Sequence, residues 1–182
     1  MSNTATAVVL PAAYRWLTAL ASPPRMIVEA LRLYGTREAP GAASNAVILG
    51  WAGEVGATDY RADAMPWCGL FMAVVAGRAG KAIPEGPLWA LNWRRFGAPA
   101  STPSLGDVLV FLRPSGGHVG LYVGEDASGF HVLGGNQGDR VCIVRIARAR
   151  LKAARRPAYS ARPVSVRPVM LAAGGALSTE EA

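Results

Sequence analysis

The chain of 182 residues carries only two cysteines and two histidines. Cys68 lies in "DAMPWCGLFMAVVAGRAG", residues 63–80, directly after Pro66 and Trp67, where an apolar helical run begins. Nucleophilic catalysis by cysteine needs a thiolate, a base that generates it and a polar group that orients the base. A helix N-terminus favours the thiolate through unpaired N–H groups and the macrodipole, by about 0.3–2 kcal/mol, so an imidazole must supply the rest. With Pro66 at the first helical position, Cys68 falls in the first turn, and its own N–H is free to stabilise an oxyanion. His118 opens the strand "HVGLYVG" after "PSGG"; His131 lies inside "FHVL". Strand alternation puts Phe130, Val132, Gly134 and Asn136 on one face and His131 on the other. If Asn136 points toward His118, its carbonyl accepts from the second ring nitrogen and fixes the tautomer, while His131 points away. Each residue also has a plainer reading: Cys68 as packing, His118 as a strand-start residue, Asn136 as a turn residue. Cys142, in "VCIVRI", reads as core. A metal site built from Cys68, His118, His131 and Cys142 lacks paired-ligand spacing.

The elements that must position these residues come in two textures. Ser22 as cap, with proline in the first turn, opens a helix through Met26, Ile27, Ala30, Leu31 and Tyr34, closed by Gly35. Ser44 or Asn45 caps a second through Val47, Ile48, Trp51 and Ala52, ending near Gly56. The Cys68 helix follows, with Gly80 as its stop, and then a short helix in "PLWALNWRRF" ended by Gly97. From there "GDVLVFLRP", "HVGLYVGED", "GFHVLGGNQ" and "RVCIVRIAR" are short, rich in β-branched and aromatic residues, and separated by turn residues. Helices followed by a meander of strands predict an α+β domain, with N-terminal helices packed on an antiparallel sheet. Residues 1–22 read as an N-terminal extension or docking helix, 23–157 as the domain, and 158–182 as a poorly ordered tail. Asp63 is a cap candidate for the Cys68 helix, and Asp107 a turn residue starting a strand.

Half the chain is hydrophobic, which excludes wholesale disorder and allows a core without disulfides. Residues 1–139 hold ten Lys/Arg and ten Asp/Glu, whereas residues 140–182 hold nine Lys/Arg and two Glu, so the net charge of +7 belongs to the C-terminal part. That pattern suits a solvated tail or attraction to an acidic polymer. No apolar run reaches the roughly 18 residues of a membrane span. "TAVVLPAAYRWLTALASPP" is no convincing signal peptide, because no basic residue precedes the apolar run and Pro11 and Arg15 interrupt it.

"PWCGLF", "GDVLVF", "GHVGLYVGED" and "VLGGNQ", in that order, resemble the CHAP and NlpC-type cysteine peptidases and amidases, and more narrowly a small phage and bacterial subfamily. The resemblance runs from about Pro24 to Pro157, and "GTREAPGAASN" is similar to that subfamily's upstream segment. It implies a papain-like fold and hydrolysis of an amide bond in peptidoglycan, with Cys68 as nucleophile, His118 as base and then acid, and Asn136 as orienter. Many CHAP domains have a glutamate just before the asparagine; Gly134 and Gly135 stand there in this chain. Trp67, Tyr60 and Trp93 are candidates for substrate contacts, and Trp89 belongs with Trp67 and Trp93 to the tryptophans of which one or two could line a glycan or peptide groove, with packing as the plainer reading. The expectation is a monomeric cysteine hydrolase without metal or organic cofactor, whose partner is peptidoglycan rather than nucleic acid, and without stable membrane insertion. It would act on the wall after release, export or injection. A non-catalytic wall-binding module, or an acyltransferase on the same fold, are the alternatives.

Overall fold

The computed structural model describes residues 9–181. Its helices are α1 (Arg25–Arg32), α2 (Ala46–Glu54) and α3 (Cys68–Arg78), with 3-10 turns at Ala12–Ala19, Ala90–Arg95 and Arg148–Arg150. The strands are β1 (Ala98–Pro99), β2 (Val108–Arg113), β3 (Gly116–Glu125), β4 (Gly129–Gly134), β5 (Cys142–Ala147) and β6 (Leu151–Arg156). They form one antiparallel sheet in the order β1-β6-β2-β3-β4-β5. The protein is α+β, with the helices ahead of the main sheet in sequence.

Asn45 caps α2 by accepting from the Val47 N–H at 2.8 Å. Ser22 does not cap α1, which starts at Arg25 behind Pro24 without a side-chain cap; a proline at that position has no N–H to satisfy, and its fixed φ suffices. The helix α3 is buried along nearly its whole length, from Cys68 to Ala76, and lies between α1, α2 and the sheet. Alternation gives the sheet two apolar faces. Val108, Val110, Val119, Leu121, Val123 and Leu133 join the helical core, while Leu109, Phe111, Tyr122, Phe130, Val132 and Ile146 form a second cluster on the other face.

Two segments differ from the sequence expectations. The strand β6, "LKAARR", has no strand-like composition; it forms because its backbone closes the gap between β2 and β1, with Val108 opposite Arg155 and Ala98 opposite Arg156. Residues 158–181, expected to be loose, pack against the sheet: Leu105 N–H donates to Arg167 O, Glu125 N–H to Val169 O, Leu171 N–H to Glu125 O and Gly138 N–H to Glu180 O. Extended chain with many prolines shows no periodicity, so its backbone bonds to the domain leave no trace in the pattern. Four of the nine basic residues in 140–182 are held in ion pairs. Arg145, Arg148, Arg150 and Arg156 pair with Asp126, Glu125, Glu181 and Asp107. Residues 1–8 of the expected extension lie outside the described residues. The remainder packs through Leu10, Tyr14 and Leu17.

On the helical face, Asp126 collects a buried polar cluster. Arg145 donates to it at 2.8 and 3.0 Å, and His131 Nε2 lies 2.9 Å from it. The Tyr14 hydroxyl lies 2.7 Å from His131 Nδ1. His131 is thereby committed to structure and faces away from His118, as alternation requires.

Candidate active site

Cys68 is the first residue of α3; Trp67 is the cap, and Pro66 precedes it rather than opening the helix. The thiol is therefore two positions closer to the helix start than the sequence suggested, among N–H groups without intrahelical acceptors. It lies against the backbone N–H of Val119, the residue after His118, and its own helix's Gly69 N–H. The opening it occupies exists because the β3–β4 ladder stops at Leu121↔Leu133. Beyond that pair the chain turns away through Gly134 and Gly135, and the start of α3 fills the space. A Cβ on Gly135 would stand 2.6 Å from Phe71 Cβ and 2.7 Å from Trp67 Cζ3, so only glycine lets this corner close on α3.

His118 is fully buried and pairs with Phe111 across β2–β3. Its Nε2 lies 3.0 Å from Gln137 Oε1. The Gln137 amide nitrogen donates to Cys142 O at 2.7 Å and Val132 O at 3.2 Å, so the oxygen must face the imidazole. The carbonyl then accepts from Nε2–H, and the neutral ring carries its lone pair on Nδ1. Nδ1 is buried and has no hydrogen-bond partner among the described residues, so no thiol–imidazole hydrogen bond is present. Gly134 makes room for this arrangement: a Cβ there would be 2.8 Å from Gln137 Oε1 and 3.3 Å from His118 Nε2. That crowding is the physical reason a glutamate side chain has no place in this corner.

Asn136 does not orient His118. It sits at φ +56°, which breaks the alternation that the sequence argument extended past the end of β4. With its amide turned to satisfy both polar atoms, it donates to Glu38 Oε1 at 3.1 Å and accepts from the Trp67 N–H at 3.2 Å. Trp67 Nε1–H donates to the same Glu38 oxygen at 2.6 Å. Asn136 thus caps α3 from outside and ties the 36–40 loop to the helix start. Asp63 was the sequence candidate for that capping. It accepts instead from the Ala39 and Asn45 N–H groups at 2.8 and 2.7 Å, holding the loop ahead of α2.

The three candidate substrate-contact residues are core residues. Trp67 and Trp93 are fully buried and Tyr60 nearly so. Trp67 packs against Trp51 with ring centroids 5.9 Å apart and the rings inclined at 56°, and Trp93 Nε1–H donates to Pro87 O at 2.9 Å. The exposed tryptophan is Trp89, 57% accessible, which lies beside Gly116 at the start of β3. Cys142 is buried, and its thiol donates to Gln137 O at 3.3 Å. Asp107 starts β2 by accepting from the Ser104 N–H at 2.9 Å and pairs with Arg156 at 2.7 Å.

Burial pushes the Cys68 thiol up, against the opposing pull of the Val119 and Gly69 N–H groups and of Arg113. Burial also pulls His118 down to about 4, against the Glu181 carboxylate and the Gln137 carbonyl. The resting pair is therefore neutral thiol and neutral imidazole, because burial outweighs the help that a helix start gives the thiolate. Among the described residues no group of three or more His, Cys, Asp and Glu side chains could hold a metal ion, and no helix is long and apolar enough to cross a membrane.

No family model matches the chain, and no curated protein matches it.

Proposed function

We propose that the protein is a papain-like cysteine hydrolase of the CHAP/NlpC type that cleaves an amide bond in peptidoglycan. The observation that carries the reading is the buried His118, whose Nε2–H is held by a Gln137 carbonyl that is itself fixed, next to a strand backbone that meets a cysteine at a helix start. Cys68 is the nucleophile, His118 the base and then acid, and Gln137 the positioning residue in place of Asn136. The motif order from "PWCGLF" to "VLGGNQ" supports the substrate class.

In the reaction, His118 Nδ1 takes the thiol proton as Cys68 sulfur adds to the amide carbonyl. The first-turn N–H groups of α3 receive the developing oxyanion. The imidazolium returns its proton to the leaving amine as the C–N bond breaks, leaving a thioester. His118 then takes a proton from water as the hydroxide adds to the thioester, and the thiolate leaves and is reprotonated. Acylation requires Nδ1 and the thiol to come within hydrogen-bond reach, a contact that commonly tightens only with substrate bound. The helix-side rim at Trp89 offers an aromatic surface to a glycan or peptide. The wall is reached after release, export or injection.

Mass spectrometry of peptidoglycan digested with the purified protein tests this. One new amine and one new carboxyl group at a single kind of amide bond are expected, and Cys68→Ala should yield neither. Equal digestion by Cys68→Ala would refute the mechanism. Cys68 is only 3% accessible, which favours a second reading as a wall-binding module. That reading predicts binding to the wall without any muropeptide released.

A further inference from the structure

An open cleft of ≈ 650 Å³ is lined by Arg113, Ser115, Asp139, Arg150, Glu180 and Glu181, and the charges of Glu181, Arg113 and Arg150 act on His118. The last two belong to the chain's own returning segment. Glu181 pairs with Gln137 as an isolated antiparallel bridge, and Gly138 N–H donates to Glu180 O at 2.8 Å. The segment thus runs as one strand-like rung along the residue that orients His118. Its Glu181 side chain is fully buried. One oxygen, Oε2, takes a 2.7 Å bond from Arg150 Nη2, and the other, Oε1, has no partner among the described residues. Arg113 presents the complementary lack: its Nη1 is buried without a partner among the described residues. Arg150 is itself steered by its Nε–H bond to Leu112 O at 3.1 Å, on the strand that carries Arg113.

A buried carboxylate needs both oxygens satisfied, and one held by a single arginine is poorly compensated. Two guanidinium groups lining one cleft form a binding surface for a carboxylate, and the planar fork engages both oxygens when the group is free to turn. Glu181 is tethered by the backbone rung at Gln137 and Gly138 and does not reach both arginines. A carboxylate on a diffusing molecule has no such constraint.

We infer that Arg113 and Arg150 form a carboxylate-binding subsite next to His118, and that Glu181 fills it from within until a ligand bearing a carboxylate displaces the 178–181 segment. The chemical class is a peptide or amino-acid derivative with a free carboxylate. The link to substrate rests on the hydrolase reading; the contact and its displacement do not.

The test uses the full chain, with N-acetylglutamate as probe, calorimetric titration for affinity and hydrogen exchange at the Gly138 amide for displacement. Glu181→Gln should bind the probe at least fivefold more tightly than the unaltered protein and exchange Gly138 at least tenfold faster. Adding Arg113→Met or Arg150→Met should erase the gain in affinity. Unchanged affinity and exchange in Glu181→Gln, or a gain that survives both arginine changes, would overturn the inference. If Glu181→Gln fails to fold, the unaltered protein decides: saturating N-acetylglutamate should speed Gly138 exchange, and no acceleration overturns it. Absence of muropeptide release from every variant would count against the hydrolase reading alone, since neither readout depends on cleavage.

Discussion

Gln137→Leu separates the two candidates for the residue that orients His118. Leucine keeps the volume but removes the carbonyl that accepts from His118 Nε2–H and the two N–H bonds to Cys142 O and Val132 O. Each bond lost from a buried partner costs about 1–3 kcal/mol when that partner is left unsatisfied. The imidazole then has no reason to keep its proton on Nε2, so the form with a bare Nδ1 loses its advantage. If that advantage is the one bond, about 1–3 kcal/mol, turnover falls about 5- to 150-fold. The assay is initial-rate release of muropeptides across pH 5–9, beside urea unfolding. Gln137→Glu is the informative partner: its carboxylate still accepts from His118 but favours the imidazolium, so the acidic limb of the rate profile should move to higher pH. A purely structural role predicts a rate loss with an unmoved profile. Asn136→Ala, which removes bonds to Trp67 N–H and Glu38, should cost about 1 kcal/mol of stability and less than fivefold in rate. Near-total loss of activity in Asn136→Ala with full activity in Gln137→Leu would refute the assignment.

Gly135→Ala drives a Cβ against two fully buried side chains, Phe71 and Trp67, and should destabilise by about 1–3 kcal/mol, a drop of roughly 2–4 °C in melting temperature per kcal/mol. Because the His118 pKa is lowered in the fold to about 4, the unfolded chain binds its proton first as pH falls. Stability from this group is complete above about pH 6.5 and lost between there and about 4, a change of about 3 kcal/mol; urea unfolding should show a shallower slope in His118→Asn, and an equal slope would contradict this. Trp89→Ala, at the exposed tryptophan, should leave unfolding within about 0.5 kcal/mol while raising KM for peptidoglycan, and an unchanged KM would remove Trp89 from the substrate rim.

The placement of Cys68 at a helix start, after "PW", and of His118 near a strand start, after a glycine pair, was legible. The helices and the strands β2 to β5 follow from apolar periodicity and turn residues, which packing reinforces in this chain. The hydrogen-bond partner of His118 was not legible, because period-2 alternation holds only while the strand lasts. It ends at Gly134, and the positive φ of Asn136 turns the next side chain, Gln137, toward the imidazole. The pair "NQ" after two glycines was the available signal, since either amide can serve once the strand is broken. Aromatic residues near the cysteine suggested a groove, yet Trp67 and Trp93 are among the largest buried side chains, with each indole N–H satisfied inside the protein. Burial of an aromatic depends on tertiary neighbours, which a local pattern does not contain. The strand β6 and the returning segment were missed for the same reason: both are held by backbone bonds to elements far away in sequence.

The strand order leaves the outer side of β5 at the sheet's margin. The returning segment lies along it: Ser178 N–H donates to Arg145 O at 2.7 Å, and the Arg145 guanidinium reaches Gly175 O. The stretch that occupies the cleft therefore also guards an unpaired backbone edge, the kind of surface on which a second extended chain can add. If a ligand displaces this segment as inferred above, the same event would bare that stretch of the β5 edge, so filling the cleft and freeing a backbone template would share a single short segment.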